Sequence, residues 1–274
     1  MRRVVVVVLD GLRADAIDRL GLRWWRRLAG EGAMSLCGTT IGPSVTAAAM
    51  ASLLTGAPPE VHGLRSDRFH LPRANGPTDP LPRVLAAAGL PTSAFVRRLP
   101  LLFRGLAERV ARHLGVAAPT FAGRTATEIL FAATATLAEQ ERGLILLHWP
   151  DCDEAGHAHG WMSEPYLRAA QRLDFALGLL ATCAEVGPDP GTLLIALADH
   201  GGGGADSHDH DSDHPLDRTI PVLLAGSAVA GERLDQPSIL DVPATVLWAL
   251  GVPQPASYCG RPLWEAFAPA AVAV

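Results

Sequence analysis

Lysine is absent from this chain of 274 residues, so arginine supplies all 23 of its basic side chains. Aromatic residues make up only 5% of the sequence, and alanine, leucine and valine must therefore build most of a hydrophobic core. The net charge is −5 and the pI is about 6.0. We expect no nucleic-acid polymer as a partner, because proteins that bind one carry an excess of basic side chains.

The chain also has few cysteines and no long apolar run. No two of its four cysteines form the C-x-x-C pair of a zinc ribbon or a redox site. The apolar run at residues 4–9 ends at Asp10 and is too short for the apolar part of a secretory signal peptide. No stretch approaches the ~20 apolar residues of a membrane span. We therefore expect a cytoplasmic protein without membrane contact.

Short runs of valine, isoleucine and leucine predict buried strands, as in a mostly parallel sheet. The predicted strands are Val4–Leu9, Leu144–Leu147, Leu193–Ala198 and Ile220–Leu224. The segments between them predict helices at Ala47–Leu54, Leu81–Ala88, Thr125–Glu141, Glu164–Ala184 and Asp241–Leu250. This alternation predicts an α/β fold, a three-layer sandwich around a mostly parallel central sheet.

We assign residues 1–274 to a single domain. Residues 65–122 interrupt the alternation, because this stretch is rich in arginine and proline. The stretch is predicted to be an excursion over the sheet edge or a small lid, although a solvated surface segment fits the composition equally well.

Polar side chains follow the predicted strands, at the edge of the sheet where α/β proteins form their sites. Asp10 comes directly after the first strand, and Asp199 and His200 come after the third. Asp153 and His157 follow the second strand with a spacing that suits a loop around one cation. Carboxylate oxygens and imidazole nitrogens together are ligands for Zn²⁺ or Mn²⁺.

Two parts of this ligand set stay open from the spacing alone. Asp151 and His159 compete with Asp153 and His157, although the spacing favours the latter pair. In the segment SHDHDSDHP, three histidines alternate with aspartates, and the metal site needs only one of the histidines as a ligand. The candidates are His208, His210 and His214.

Thr46 is predicted to lie at the start of a helix. Its hydroxyl could cap that helix, which is the simplest interpretation of the residue taken alone. A helix start also favours a phosphate-like anion, and a metal could lower the hydroxyl pKa and make it a nucleophile. The two sets of ligands near this hydroxyl could hold two cations roughly 4 Å apart. Such a pair would stabilise the attacking and the leaving oxygen of an in-line displacement.

These motifs, in this order, resemble the alkaline phosphatase superfamily and especially its nucleotide pyrophosphatase/phosphodiesterase-like, or type I phosphodiesterase, branch. The resemblance covers nearly the whole chain, through VVVVVLDGLRADAI, PSVTAAAMASLLTGAPPEVHGL, PDCDEAGHAHG, LADHGG and DVPATVLWALGVPQPASYCGRPL. Thr46 lies ten residues before Gly56, the spacing of the family nucleophile, so the resemblance selects Thr46 and not Ser44. Spacing from DRTIPVLLAG selects His210, with His214 second and His208 third.

The resemblance implies a metal-dependent hydrolase of phosphoric esters. One metal site would use Asp10, Asp199, His200 and the Thr46 oxygen, and the other would use Asp153, His157 and His210. Two divalent ions are implied, Zn²⁺ first and Mn²⁺ as the alternative. Thr46 would attack phosphorus, and water would then hydrolyse the phospho-enzyme. The expected substrate is a small phosphate ester, and the oligomeric state is left open.

One departure from the family concerns substrate preference. Phosphodiesterase relatives carry an asparagine downstream of the nucleophile, where this chain has Asp67 in the segment HGLRSDRF. Arg65 or Arg68 is therefore expected to bind the phosphate, because a guanidinium pairs with two phosphate oxygens.

The alternatives are a phosphomonoesterase, a phosphonate or sulfate ester hydrolase, and a non-catalytic metal-binding protein. A sulfatase would need cysteine or serine followed by proline and arginine, whereas Thr46 is followed by Ala48 and Met50. A metal-dependent phosphoglycerate mutase would need a serine nucleophile and a much larger inserted domain.

Overall fold

A seven-stranded sheet runs through the protein, in the order β2-β7-β6-β1-β5-β3-β4. The computed structural model describes residues 1–66, 74–187, 191–231 and 233–267. The strands are β1 (Arg3–Leu9), β2 (Ala33–Thr39), β3 (Thr92–Val96), β4 (Ala118–Phe121), β5 (Gly143–Trp149), β6 (Thr192–Leu197) and β7 (Thr219–Ala225).

The valine-rich strand β1 occupies the centre of the sheet. All of its residues are buried, and it pairs in parallel with β5 on one side and β6 on the other. β-branched side chains pack well where helices cover both faces of a sheet, which explains the continuous valine run. The carboxyl ends of β1, β5 and β6 therefore meet at one edge of the sheet.

Strand β7 runs antiparallel to both of its neighbours, β6 and β2. The apolar run at residues 220–224 predicts a strand but not its direction, and the sheet is mostly parallel with this exception. A parallel connection needs a crossover, usually a helix of several turns. The chain between β6 and β7 instead forms a glycine- and histidine-rich loop and one four-residue helix, and it returns directly beside β6.

Helices flank the sheet in two packed groups. The helices are α1 (Ala14–Leu20), α2 (Arg23–Gly30), α3 (Thr46–Thr55), α4 (Pro59–His62), α5 (Leu81–Ala87), α6 (Leu101–His113), α7 (Ala126–Glu139), α8 (Asp151–His159), α9 (Glu164–Cys183), α10 (Pro215–Arg218) and α11 (Asp241–Ala249). Helix α9 packs against α1, α2, α7 and α8, and α11 packs against α3 and α5. A single 3₁₀ turn, Trp264–Ala266, follows α11.

The strongly periodic elements agree with the predictions to within two residues at each end. Within the segment 65–122, strands β3 and β4 join the edge of the sheet. These two strands and β2 were not predicted: β4 carries a proline, and β2 contains a glycine and an irregular register. Among the described residues, no helix combines the length and apolarity needed to cross a membrane.

Gly11, the second residue after β1, allows the loops at the strand ends to come together. Its φ is +70°, and a Cβ at this position would lie 2.9 Å from the Cα of Asp153. The N–H of Asp153 donates to the carbonyl of Asp10 at 3.0 Å, and the N–H of Gly11 donates to Asp199 Oδ1 at 3.3 Å. This glycine thus joins the ends of all three central strands.

Replacing this glycine tests the close approach. We expect Gly11→Ala to lower the free energy of unfolding by about 2–4 kcal/mol, through the left-handed φ and the backbone contact together. Gly89→Ala is the matched control, because Gly89 has a φ of +73° but open space around it. Its expected loss is about 1 kcal/mol. Urea unfolding of both variants measures the difference, and equal losses would contradict the close approach.

Candidate metal centre

The predicted ligands lie together at the carboxyl ends of β1, β5 and β6. Asp10 directly follows the first of these strands, and Asp199 and His200 follow β6. Asp153 and His157 belong to helix α8, which starts right after β5, and their spacing of one helical turn puts both on the same face. The site therefore depends on neighbouring strands and on the short helix that follows one of them.

His200 lies at the centre of one group of side chains. Its Nε2 is 3.2 Å from Asp10 Oδ1 and 3.7 Å from Asp199 Oδ2. The hydroxyl of Thr46 lies 3.1 Å from the same nitrogen. His200 and Asp199 are fully buried, whereas Thr46 is half-buried at the beginning of α3. The structure thus brings together the residues expected for one metal site.

Asp153 lies at the centre of the second group. Its Oδ1 is 3.3 Å from His157 Nε2 and 3.5 Å from His210 Nε2. The same oxygen is 4.0 Å from His200 Nε2, so the two groups adjoin. The His157 side chain is 44% exposed, which opens this side of the centre to solvent and to a substrate.

Backbone carbonyls orient all three imidazole rings. In each ring Nδ1 faces a carbonyl oxygen, which leaves Nε2 directed toward the carboxylates. The pairs are His157 with His208 at 2.7 Å, His200 with Gly201 at 2.9 Å, and His210 with Ser44 at 2.6 Å. Metal-binding histidines are held in this way, because the hydrogen bond at one nitrogen sets which nitrogen is free to bind.

Two buried carboxylate oxygens indicate that a cation fits this centre. Asp199 Oδ2 accepts no hydrogen bond from any residue that the structure describes, and Asp10 Oδ1 has His200 Nε2 as its neighbour at 3.2 Å. A buried carboxylate oxygen without a donor is costly, and a divalent ion satisfies it. The mixed oxygen and imidazole donors suit Zn²⁺ or Mn²⁺.

The carboxylates and His200 shift one another's proton affinities in the metal-free protein. Burial and the charge of Asp10 raise the pKa of Asp199 to about 6. Burial opposes ionisation of Asp10 as well, but His148 and His200 lower its pKa to about 2. Burial disfavours the charged form of His200, yet Asp199 and Asp10 outweigh it and raise the pKa to about 10. At neutral pH the His200 imidazole is therefore positively charged, with a proton on Nε2, the atom at which a metal would bind.

The structure separates Thr46 from Ser44, the two hydroxyls of the loop before α3. Thr46 is the first residue of the helix and does not cap it, because Val45 holds the capping position. The Thr46 hydroxyl faces His200 instead. Ser44 is fully buried and donates to the backbone carbonyl of His210 at 2.5 Å, so it holds two loops together.

The alternative ligands have other contacts. Asp151 accepts from the N–H of Ala126 at 2.7 Å, at the start of α7, and His159 is exposed. His214 caps α10 through Nδ1, which accepts from the Leu216 N–H at 3.1 Å. His208 is exposed and supplies the carbonyl that orients His157. None of these side chains belongs to the two groups described above.

Two residues near the centre were missed in the sequence analysis. His148, inside β5, has its Nε2 3.4 Å from Asp10 Oδ2. Trp161 lies 5.1 Å from the His157 ring and donates from Nε1 to the Gly11 carbonyl at 3.0 Å. A histidine inside an apolar strand was a signal for the first residue. No spacing pattern identifies the second, because its position depends on the turn after α8.

Arg65, one of the two arginines expected to bind phosphate, forms an ion pair with an acidic neighbour instead. Arg65 pairs with Glu60 at 3.3 Å, with its side chain about half exposed. Arg68 and Asp67 lie outside the described residues. A cavity of about 670 Å³ is lined in part by Pro43, Asp211 and Arg218. It adjoins the loops before the predicted nucleophile and after the last histidine ligand, and its Arg218 pairs with Asp213 at 3.2 Å.

The sequence and the structure are both similar to those of known proteins. The family described as type I phosphodiesterase / nucleotide pyrophosphatase matches residues 4–85 and 85–236. A 2,3-bisphosphoglycerate-independent phosphoglycerate mutase from Synechococcus sp. (strain JA-2-3B'a(2-13)) is 32% identical over 154 residues, which covers 52% of this chain. The chain spans only 28% of the length of that relative.

Solved structures share the fold at low sequence identity. Murine ectonucleotide pyrophosphatase/phosphodiesterase 5, as an inactive threonine-to-alanine variant in complex with AMP, gives a TM-score of 0.75 at 14% identity and covers 98% of this chain and 100% of that one. A phosphonate monoester hydrolase from Silicibacter pomeroyi gives 0.66 at 18% identity and covers 96% and 76%.

The geometry predicts which late histidine holds a metal. We expect His210→Ala to lose about one metal equivalent, because its Nε2 faces Asp153 and its Nδ1 is already held by the backbone. His214→Ala is the matched control and should keep its full metal content while losing a helix cap. Elemental analysis of both purified variants after metal loading measures this. Loss of metal from the His214 variant alone would contradict the assignment.

The raised pKa of His200 predicts that metal binding releases protons. At about pH 7.5 the metal-free His200 is charged, so a metal at Nε2 must displace its proton. The apparent affinity should rise about tenfold per pH unit between about pH 6 and 8. It should fall more steeply below pH 6, where Asp199 also protonates. Calorimetry in two buffers of different ionisation enthalpy measures the released protons, and identical enthalpies would contradict this expectation.

Proposed function

The chain belongs to the type I phosphodiesterase / nucleotide pyrophosphatase family, within the alkaline phosphatase superfamily, and on that premise we propose that it hydrolyses phosphoric esters with Thr46 as the nucleophile and two divalent metal ions. The observation that carries this proposal is the position of the Thr46 hydroxyl. It lies 3.1 Å from His200 Nε2, at a helix start and beside buried carboxylates.

The residues proposed to hold the metals divide into two sets. Asp10, Asp199, His200 and the Thr46 oxygen would hold one ion, and Asp153, His157 and His210 would hold the other. Zn²⁺ is the first choice and Mn²⁺ the second, given the mixed nitrogen and oxygen donors. When bound, the ions supply positive charge that lowers the hydroxyl pKa and stabilises the phosphorane-like oxygens.

The chain's own residues position the nucleophile for an in-line attack. The Thr46 oxygen would lose its proton to solvent and form a bond to phosphorus as the bond to the leaving alcohol or phosphate breaks. The product is a phosphorylated threonine, which keeps the remaining ester group when the substrate is a diester. The start of α3 places backbone N–H groups and the positive end of the helix dipole next to the phosphoryl oxygens. Water entering past the exposed His157 side would then cleave the phospho-threonine and regenerate the hydroxyl.

The proposed substrate is a small phosphodiester, nucleotide or phosphonate. Murine ectonucleotide pyrophosphatase/phosphodiesterase 5 supports this choice, since it is inactive as a threonine-to-alanine variant and was crystallised with AMP. The cavity beside Pro43 and Arg218 has room for the part of the substrate that does not react. Phosphomonoesters and sulfate esters are the alternatives that a rate comparison distinguishes.

A phosphoryl transfer is the second candidate function, because the relative from Synechococcus is a mutase at 32% identity. That similarity covers 52% of this chain, and the threonine at position 46 favours hydrolysis over a serine-based mutase. We also place the protein in the cytoplasm, where its four free cysteines would stay reduced.

Removing the hydroxyl tests the nucleophile. We expect Thr46→Ala to lower the rate of bis-p-nitrophenyl phosphate hydrolysis at least about 1000-fold, because no other group forms the phospho-enzyme. Thr46→Ser should retain measurable activity, since it keeps a hydroxyl at the same position. Rates are measured after loading with Zn²⁺ or Mn²⁺, beside p-nitrophenyl phosphate and p-nitrophenyl sulfate.

Metal analysis of the same variants separates the possible failures. Full activity in a Thr46→Ala protein with normal metal content would show that another residue attacks phosphorus. No turnover of the three esters by the metal-loaded wild-type protein would favour a non-catalytic metal-binding role. Faster hydrolysis of the sulfate than of either phosphate would move the substrate class to sulfate esters.

A further inference from the structure

Helix α6 presents an apolar surface to solvent. Leu101 and Leu102 are 80% and 86% exposed, and Phe103, Leu106 and Val110 are each more than half exposed. No residue of this helix is buried. Large apolar side chains scattered singly over a surface are normal, but a group of them on one helix marks an interaction site.

The exposed side chains follow the helical repeat. Leu102, Leu106 and Val110 follow one another at four-residue spacing and form one row along the helix. Phe103 lies beside this row. Such spacing places them on one side of α6 as a continuous ridge. The smaller side chains of Ala107 and Ala111, which follow Phe103 at four-residue spacing, are less exposed than the large ones. We call Leu102, Phe103, Leu106 and Val110 the α6 ridge.

Positive charge surrounds the α6 ridge in a chain that is acidic overall. Residues 97–113 contain five arginines and one glutamate, whereas the whole chain has a net charge of −5. Arg104 pairs with Glu108 along the helix, and Arg97 pairs with Glu154. Within the part of the chain that the structure describes, Arg109 and Arg112 form no ion pair. These guanidinium groups are available to an anionic partner.

The α6 ridge begins on the same edge of the sheet as the metal centre. Helix α6 follows the carboxyl end of β3, which is parallel to β5. Arg97, between this strand end and the helix, reaches Glu154, the neighbour of the proposed ligand Asp153. A surface bound by the start of α6 would therefore lie near the open side of the centre.

We propose that α6 docks on the surface of an anionic phospholipid membrane, with the α6 ridge entering the boundary of the acyl chains and the arginines contacting lipid phosphates. An amphipathic helix with leucine and phenylalanine on one side and arginine beside them binds membranes in this way. Such docking needs no membrane span. It departs from the sequence-based expectation that the protein makes no membrane contact, which considered only spanning segments.

Charge favours a membrane over a second copy of the chain as the occupant. Two copies packed through their α6 ridges would bring arginine against arginine across the interface, which opposes association. The ridge is also convex and lies on a helix without buried residues, so it can enter a lipid boundary without any rearrangement of the protein.

Co-sedimentation of the full chain with phospholipid vesicles tests the proposal. We expect binding to vesicles of phosphatidylglycerol and phosphatidylcholine, and at least about tenfold weaker binding to phosphatidylcholine alone. Raising the salt from about 0.1 M to about 0.5 M should release most of the protein, since the lipid charges are then screened. Absence of binding to the anionic vesicles, or equal binding to both kinds, would overturn the proposal.

Matched substitutions locate the binding surface. Phe103→Ser on α6 should weaken vesicle binding at least about fivefold, whereas Phe175→Ser on α9 should leave it unchanged. Both phenylalanines are 57% exposed, so the two variants remove the same apolar group. The double variant Arg109→Gln and Arg112→Gln should weaken binding and its dependence on salt. Equal effects of the two serine variants would overturn the role of α6.

Light scattering without vesicles separates lipid from protein as the occupant. We expect the wild-type protein and the Phe103→Ser variant to have the same mass in solution. A larger assembly that dissociates with Phe103→Ser would overturn the proposal in favour of a second copy. Because α6 has no buried residue, the Phe103→Ser variant should keep the unfolding midpoint of the wild type, which circular dichroism measures.

Discussion

Two carboxylates, Asp10 and Asp199, are buried at neighbouring strand ends, and their repulsion is the constraint on which the candidate site depends. Burial and Asp10 together raise the pKa of Asp199 to about 6. Asp199 Oδ2 receives no hydrogen bond from the described residues. A cation relieves the repulsion between two ionised carboxylates, and the charged His200 or a metal ion can supply it. The cost of burying these acids is explained by a function that needs the ion.

The surrounding backbone maintains this arrangement. The Gly11 carbonyl accepts hydrogen bonds from Trp161 Nε1 and the Tyr166 hydroxyl, which attaches the end of β1 to the segment after α8. The Ser44 hydroxyl donates to the His210 carbonyl while the Ser44 carbonyl faces His210 Nδ1. Loops from distant parts of the chain are thus bound to one another, so the ligands are oriented before any ion binds.

Much of the fold was predictable because its central elements have strong local patterns. The valine run of β1 and the long periodicity of α9 each indicate their structure without help from the rest of the chain. The edge strands were not predictable in this way. β4 has four residues and includes a proline, and β2 has an irregular register with β7. The direction of β7 depends on how the preceding loop wraps the site, which no local pattern records.

The sequence by itself determined the residue types of the site and their places after the strands, because acids and histidines that follow buried strands meet at one edge of a parallel sheet. Spacing alone left three late histidines and two hydroxyls open, and the family resemblance favoured His210 and Thr46. Only the tertiary structure showed that His210 faces Asp153, that Ser44 joins loops while Thr46 faces His200, and that His148 lies against Asp10. These outcomes depend on contacts between residues far apart in the chain. Spacing along the sequence limits such contacts without specifying them.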